Sequence, residues 1–147
     1  MRKIFIYYSF TGNGDCVASY LKKVGFNDYK IVTYESLPKS RFLSIIVGGF
    51  KAMINYKDKI GVFDIDLNKY DKIIIGSPIW NSRLSSPINS LLDKIELSGK
   101  DVTFILYSGS GKENKATEIL KSKYSSEVIN LKEPKVNNDE LIKLDNL

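Results

Sequence analysis

The sequence contains no histidine, a single cysteine (Cys16) and a single tryptophan (Trp80) among its 147 residues. Without histidine there is no Ser-His-Asp or Cys-His constellation, no imidazole metal ligand and no ordinary general base near neutral pH. With one cysteine, an intramolecular disulfide, a paired-cysteine redox motif and a thiolate metal cluster are all excluded. Any chemistry performed here is therefore expected from a bound cofactor. Long apolar runs are missing as well. The first one, Ile4 to Tyr8, is broken at once by Thr11-Gly12-Asn13-Gly14, too early for a signal-peptide core. No segment reaches the roughly eighteen apolar residues of a membrane span, so a cytoplasmic location is expected. No internal repeat, low-complexity stretch or Pro/Gly-rich linker is present, and 43% hydrophobic residues suffice for one core. One domain over residues 1–147 is the expectation.

Twenty-two Lys and Arg stand against 17 acidic residues, a net charge of +5, compatible with acidic partners or anionic ligands. The basic residues are scattered; no basic stripe with interleaved aromatics points to nucleic acid.

Runs rich in isoleucine, valine and aromatics occur at Lys3–Tyr8, Tyr29–Tyr34, Lys72–Ser77 and Val102–Tyr107, with a weaker one at Glu127–Leu131; they read as strands. The third is continuous rather than alternating, as in a strand buried on both faces. Between them lie segments of helical spacing: Asp15–Val24, roughly Ser40–Asn55, Pro87–Ile95 and Lys112–Tyr124, with a weaker helical signal in the tail, Val136–Leu147. This βα alternation predicts an α/β fold, a five-stranded parallel sheet wound right-handedly with helices on both faces.

In open parallel sheets, ligands bind beyond the carboxyl ends of the strands, where the strand order reverses. After the first strand comes Ser9-Phe10-Thr11-Gly12-Asn13-Gly14, leading directly into a helix. Glycines that let backbone N–H groups turn inward, two hydroxyls and a helix start suit a phosphate; the same residues also make an ordinary turn with a helix cap. After the third strand comes Gly76-Ser77-Pro78-Ile79-Trp80-Asn81-Ser82, in which Trp80 is either a flat stacking face or a half-buried anchor for the loop. After the fourth comes Ser108-Gly109-Ser110-Gly111, small and donor-rich. Cys16 beside the helix start is either an acidified thiol or simply packed, and Tyr107 either closes a pocket or supports the sheet.

These three segments together resemble the short-chain flavodoxins, in the branch whose second loop reads Pro-Ile-Trp; Gly48-Gly49-Phe50-Lys51-Ala52 resembles a stretch common in that branch. The resemblance covers all but about the last dozen residues. It implies a flavodoxin-like three-layer sandwich with strand order 2-1-3-4-5, and flavin mononucleotide (FMN) as cofactor. It also implies Ser9, Phe10, Thr11, Gly12, Asn13 and Gly14 around the phosphate, Ser77, Pro78, Ile79, Trp80 and Asn81 beside the isoalloxazine, and Ser108, Gly109 and Gly111 on the third loop. Electron transfer between protein redox partners, a reductase and an acceptor, is the implied role. The alternatives are a small FMN-dependent NAD(P)H quinone or nitro reductase, and a binding module that has lost FMN. One departure bears on the last: Gly14 stands where the family usually has a second threonine, so a hydroxyl donor is missing and Gly14→Thr is expected to restore it. Asn81 stands where many relatives have glycine, and asparagine is among the residues most tolerant of a positive φ. Asp15 is expected to face solvent rather than the phosphate.

Overall fold

Alternate residues of a strand point to opposite faces, and in the computed structural model this rule divides the core in two. The structure describes residues 1–34, 39–53 and 57–147, without the side chains of residues 41, 42, 45, 52 and 53. The strands are β1 (Lys3–Tyr7), β2 (Asn27–Lys30), β3 (Lys72–Trp80), β4 (Arg83–Leu84), β5 (Asp101–Ser108) and β6 (Glu127–Lys132); the helices are α1 (Asn13–Lys23), α2 (Arg41–Met53), α3 (Ser86–Lys94) and α4 (Lys115–Tyr124). The sheet runs β2-β1-β3-β5-β6, every neighbouring pair parallel, and the two-residue β4 pairs antiparallel with the end of β3. With β4 set aside, this is the expected order 2-1-3-4-5 in a three-layer sandwich.

On one face Ile4, Ile6, Ile73, Ile75, Phe104 and Leu106 pack with Ile88 and Leu91 of α3 and Ala116 and Leu120 of α4. On the other, Phe5, Tyr7, Ile74, Ile105 and Tyr107 pack with Val17, Ala18 and Leu21 of α1 and with Leu144 of the tail. The central strands are thus apolar on both sides, which is why they read as unbroken apolar runs. None of the described helices is long and apolar enough to cross a membrane.

Several boundaries differ from the sequence reading. The second strand was expected at Tyr29–Tyr34, yet it pairs with β1 over Asn27–Lys30. Beyond Lys30 the sheet edge ends: Ile31 N–H still donates to the Tyr7 carbonyl (2.7 Å), but Gly61 N–H donates to Val32 and Tyr34 N–H to Lys59, so 32–34 follow the 59–61 segment instead. Val32 and Tyr34, which carried the apolar pattern, are exposed. Helix α1 starts at Asn13 rather than Asp15 and stops before Val24, which is exposed. Helix α4 starts three residues later than expected, because Asn114 closes a capping box with Thr117. The tail forms a seven-residue 3₁₀ helix, Asn138–Leu144, rather than an α-helix. The expected end of α2 at residues 54 and 55 lies outside the described residues.

Candidate functional site

At the carboxyl edge of the sheet, β1 ends beside Gly76 of β3, which runs on to Trp80, and their connections leave toward opposite faces, α1 behind and α3 in front. A cleft of about 650 Å³ opens there, within the ordinary range for small-molecule sites. Phe10, Thr11 and Asn13 line it from the β1–α1 connection, Pro78, Ile79, Trp80 and Asn81 from β3 and its turn, and Tyr107, Ser108 and Gly109 from the end of β5. Lys39 and Ser44 contribute from the approach to α2 and its first turns, and Glu133, Lys135 and Val136 from the segment after β6.

The first connection is shaped by glycine. Gly12 adopts φ 94°, turning the chain into α1 with no side chain capping the helix, so the leftover amides of the first turn are largely free of local side-chain partners. That of Asp15 is the exception, donating to Ser9 Oγ (3.3 Å), while the Asn13 amide group donates to Thr11 Oγ1 (3.2 Å). The Asp15 charge is balanced mainly from the sheet side. Its half-exposed carboxylate accepts from Lys30 Nζ at 2.7 Å and from the Tyr7 hydroxyl at 3.2 Å. Partial burial works to raise its pKa, but the hydrogen bonds from Lys30, Ser9 and Tyr7 outweigh it and hold the carboxyl below its ordinary value.

Gly14 is buried for a packing reason. A Cβ there would stand 2.5 Å from the Tyr107 hydroxyl oxygen and 2.9 Å from Ser9 Cβ and Tyr7 Cδ2. Tyr107 itself is buried and donates its hydroxyl to the Tyr8 carbonyl; burial raises its pKa well above the ordinary tyrosine value. The expectation that threonine at position 14 would simply restore a donor is therefore corrected: the space is already filled by a tyrosine hydroxyl. Tyr107 braces the loop from below.

What the sequence presents as a loop after the third strand is largely strand. β3 runs on through Trp80, pairs with β4 by Ile79↔Leu84 and Trp80↔Arg83, and turns at Asn81-Ser82 with φ 50° and 61°. Two residues with positive φ between antiparallel partners are the type I′ hairpin, whose twist matches that of the strands; Asn81 uses the left-handed tolerance expected of it. Ser77 lies inside, its buried hydroxyl accepting from the Ser85 amide (3.1 Å) and bonding Ser85 Oγ (3.0 Å); it ties the hairpin's two sides together rather than lining the cleft. Trp80 is half-buried, in edge contact with Tyr8 (centroids 5.9 Å apart) and packed over Gly48, whose Cβ would lie 3.2 Å from the indole. It is held by α2 and Tyr8, as an anchor is, and it also lines the cleft. Gly48 permits this close approach of helix and ring, whereas a Cβ at Gly49 would meet only Asn81 Cβ at 3.7 Å.

On the third connection, a Cβ at Gly109 would meet nothing within 4 Å, so the cleft wall is open there, whereas one at Gly111 (φ 64°) would run into Lys132 at 2.7 Å. Gly111 donates its N–H to Ser108 Oγ (3.0 Å) and shapes the turn from outside the cleft. Ser9, Gly12 and Gly14 likewise support the first connection without lining the cleft. Cys16 is half-buried and donates to the Pro134 carbonyl (3.5 Å); burial pushes its thiol up despite opposition from Lys135 and Lys23, the packed rather than the acidified alternative.

Sequence reasoning missed the segment after β6. Lys135 donates its backbone N–H to Asn13 Oδ1 (3.1 Å) and its ammonium to the Thr11 carbonyl (3.3 Å), and Glu133 turns the chain at φ 41°. Residues 133–136 carry no glycine-rich pattern, and a loop that meets the first one across more than a hundred residues of chain leaves no local signal.

Residues 51–146, more than half of the chain, match the family model described as flavodoxin. The chain belongs to the flavodoxin family. No curated protein matches it significantly in sequence. Among solved structures, the flavodoxin-family chain is similar to one from Bacteroides eggerthii assigned as a flavoprotein, at TM-score 0.69 and 19% identity, with 99% of this chain and 98% of that one covered. It is similar also to a Lactobacillus acidophilus flavoprotein solved in complex with FMN, at TM-score 0.67 and 21% identity over 94% and 97% of the two chains. The apo-form of that flavoprotein matches at TM-score 0.62 and 20% identity over 88% and 89%. At these identities the likeness speaks for the fold.

Proposed function

We propose that this chain is an FMN flavoprotein that carries electrons between protein partners in the cytoplasm. The observation that carries the reading is the cleft itself, assembled at the switch point of the sheet by the ends of β1, β3 and β5. Its features suit a flavin phosphate ester. The uncapped start of α1 with Gly12 at φ 94° leaves backbone donors for an anion. Trp80 and Phe10, the latter 42% exposed, offer apolar faces, and the empty space at Gly109 admits a flat ring edge. Family membership and a structural relative solved with FMN support the same cofactor.

Bound FMN would supply one- and two-electron transfer through its ring system, which no side chain of this sequence can provide. The protein's residues then have separate tasks. Thr11, Asn13 and the backbone amides at the start of α1, which the turn at Gly12 aims, would hold the phosphate end. Trp80, braced by Gly48 and Tyr8, would shield a ring face from water. The backbone of Ile79, Asn81 and Gly109 would meet the polar edge and set how readily the ring takes up charge. A net charge of +5 favours partners that present acidic surfaces.

Anaerobically reduced, FMN-loaded protein mixed with an acidic ferric c-type cytochrome tests the carrier role, and reoxidation of the flavin within the mixing experiment is expected. Rapid oxidation of NADPH by the pure protein, with a small organic acceptor and no partner protein, would place it instead among flavin reductases.

A further inference from the structure

The phosphate loop, Ser9 to Gly14, has hydroxyls but no cationic side chain of its own. Gly14 cannot carry a side chain, because the Tyr107 hydroxyl sits 2.5 Å from where its Cβ would stand. Ser9 Oγ accepts from the Asp15 amide and Thr11 Oγ1 from the Asn13 amide group, which fixes both oxygens in place and leaves each one O–H to donate but no charge. Against this loop lies Lys135. Its backbone is pinned to Asn13 Oδ1, its Cδ and Nζ come within 3.1 Å of the vacant Cβ position of Gly12, and Nζ donates to the Thr11 carbonyl at 3.3 Å. An ammonium has three donors, and among the described residues Lys135 makes no ion pair. Glu133, two residues away and on the same wall of the cleft, is not paired with it, and Asp15 at the start of α1 is occupied by Lys30 at 2.7 Å. A cation held at a helix N-terminus has the wrong sign for the helix dipole. The arrangement is favourable when an anion joins the two.

We propose that Lys135 is the cation that binds the cofactor's phosphate group, taking the place of the hydroxyl that this loop lacks at position 14. This rests on the FMN reading above. Lys135 would then set the preference for FMN over riboflavin, and it would do so through a charge, which makes the preference sensitive to salt. The lysine reaches the site from the far end of the chain, so the tail segment becomes part of the cofactor site.

The test is a set of flavin-fluorescence titrations with FMN and with riboflavin at low and high salt, on the wild-type chain, Lys135→Ala, Lys135→Gln and, as a charge control, Lys94→Ala at the exposed end of α3. Lys135→Ala is expected to weaken FMN binding by about tenfold or more, the size of one charge-assisted hydrogen bond. Riboflavin affinity should stay at the wild-type value and the salt dependence for FMN should flatten. Lys135→Gln should fall between, Lys94→Ala should match wild type, and denaturant midpoints of the apoproteins should coincide, since Lys135 is exposed. Equal FMN affinity in wild type and Lys135→Ala, or an equal loss for both flavins, overturns the assignment while leaving the FMN reading standing. Absence of FMN binding by the wild-type chain overturns both.

Discussion

Gly14 shows how one atom's worth of space decides what a loop can do. The Tyr107 hydroxyl occupies the place of a side chain at 14 and is itself spent on the Tyr8 carbonyl, so donor and packing compete for one position. Gly14→Thr is expected to lower the unfolding free energy by about 1–3 kcal/mol through overpacking and to weaken FMN binding rather than tighten it. In the double variant Gly14→Thr/Tyr107→Phe, part of that loss should return, a coupling within the roughly 0.5–3 kcal/mol known for residues in contact. Denaturant melts of the two single variants and the double variant measure it, and strict additivity would mean that the two groups do not meet. Trp80 offers the complementary case, a ring shared between fold and cleft. Trp80→Ala is expected to lose about 1–3 kcal/mol of FMN affinity, by analogy with aromatic stacking on nucleic-acid bases. It should also cost the apoprotein about 1–2 kcal/mol, less than the 3–5 of a fully buried aromatic because the ring is only half covered. Measuring both quantities separates the roles; stability loss with unaltered FMN affinity would leave Trp80 as an anchor only.

Among the elements, the β3–β4 hairpin is where pattern reading and structure part. The residues Pro78, Ile79 and Trp80 look like loop because proline and a lone tryptophan interrupt the isoleucine run, yet Pro78 pairs with Tyr107 in the parallel ladder and the next two residues pair with β4. The turn carries strain at Ser82, a serine at φ 61°, where the I′ geometry favours glycine. Ser82→Gly is expected to raise the denaturant midpoint, with a gain of up to about 1 kcal/mol from relieving the left-handed conformation; a lower midpoint would mean that the Ser82 side chain has an unrecognised partner. The second strand teaches the opposite lesson. Val32 and Tyr34 supply a β-like pattern but are exposed, and the pairing that the chain does make through Asn27–Lys30 involves polar residues at a sheet edge. Edge strands bury one side at most, so their composition says little about their register.

For the molecule as a whole, the parallel strands were legible because each central strand is buried on both faces and announces itself by composition, while their order came from the resemblance to flavodoxins. The walls built at the ends of β1, β3 and β5 were legible for a related reason: glycine and hydroxyl residues at strand ends have a local cause. The wall at Glu133, Lys135 and Val136 was not, since its place beside Thr11 and Asn13 depends on how the tail returns across the sheet, and neither was the part that Lys39 and Ser44 supply beside α2. The same is true of Gly14 and Tyr107, whose contact spans 93 residues in sequence and appears only when β1 and β5 are set one strand apart. What these walls do together is decided by whether the cleft binds FMN. Titrating the cofactor-free protein with FMN and separately with riboflavin, followed by quenching of flavin fluorescence, tests this most directly. One FMN per chain, bound more tightly than riboflavin and quenched beside Trp80, is the predicted result; unquenched FMN, or equal affinity for the two flavins, would contradict it.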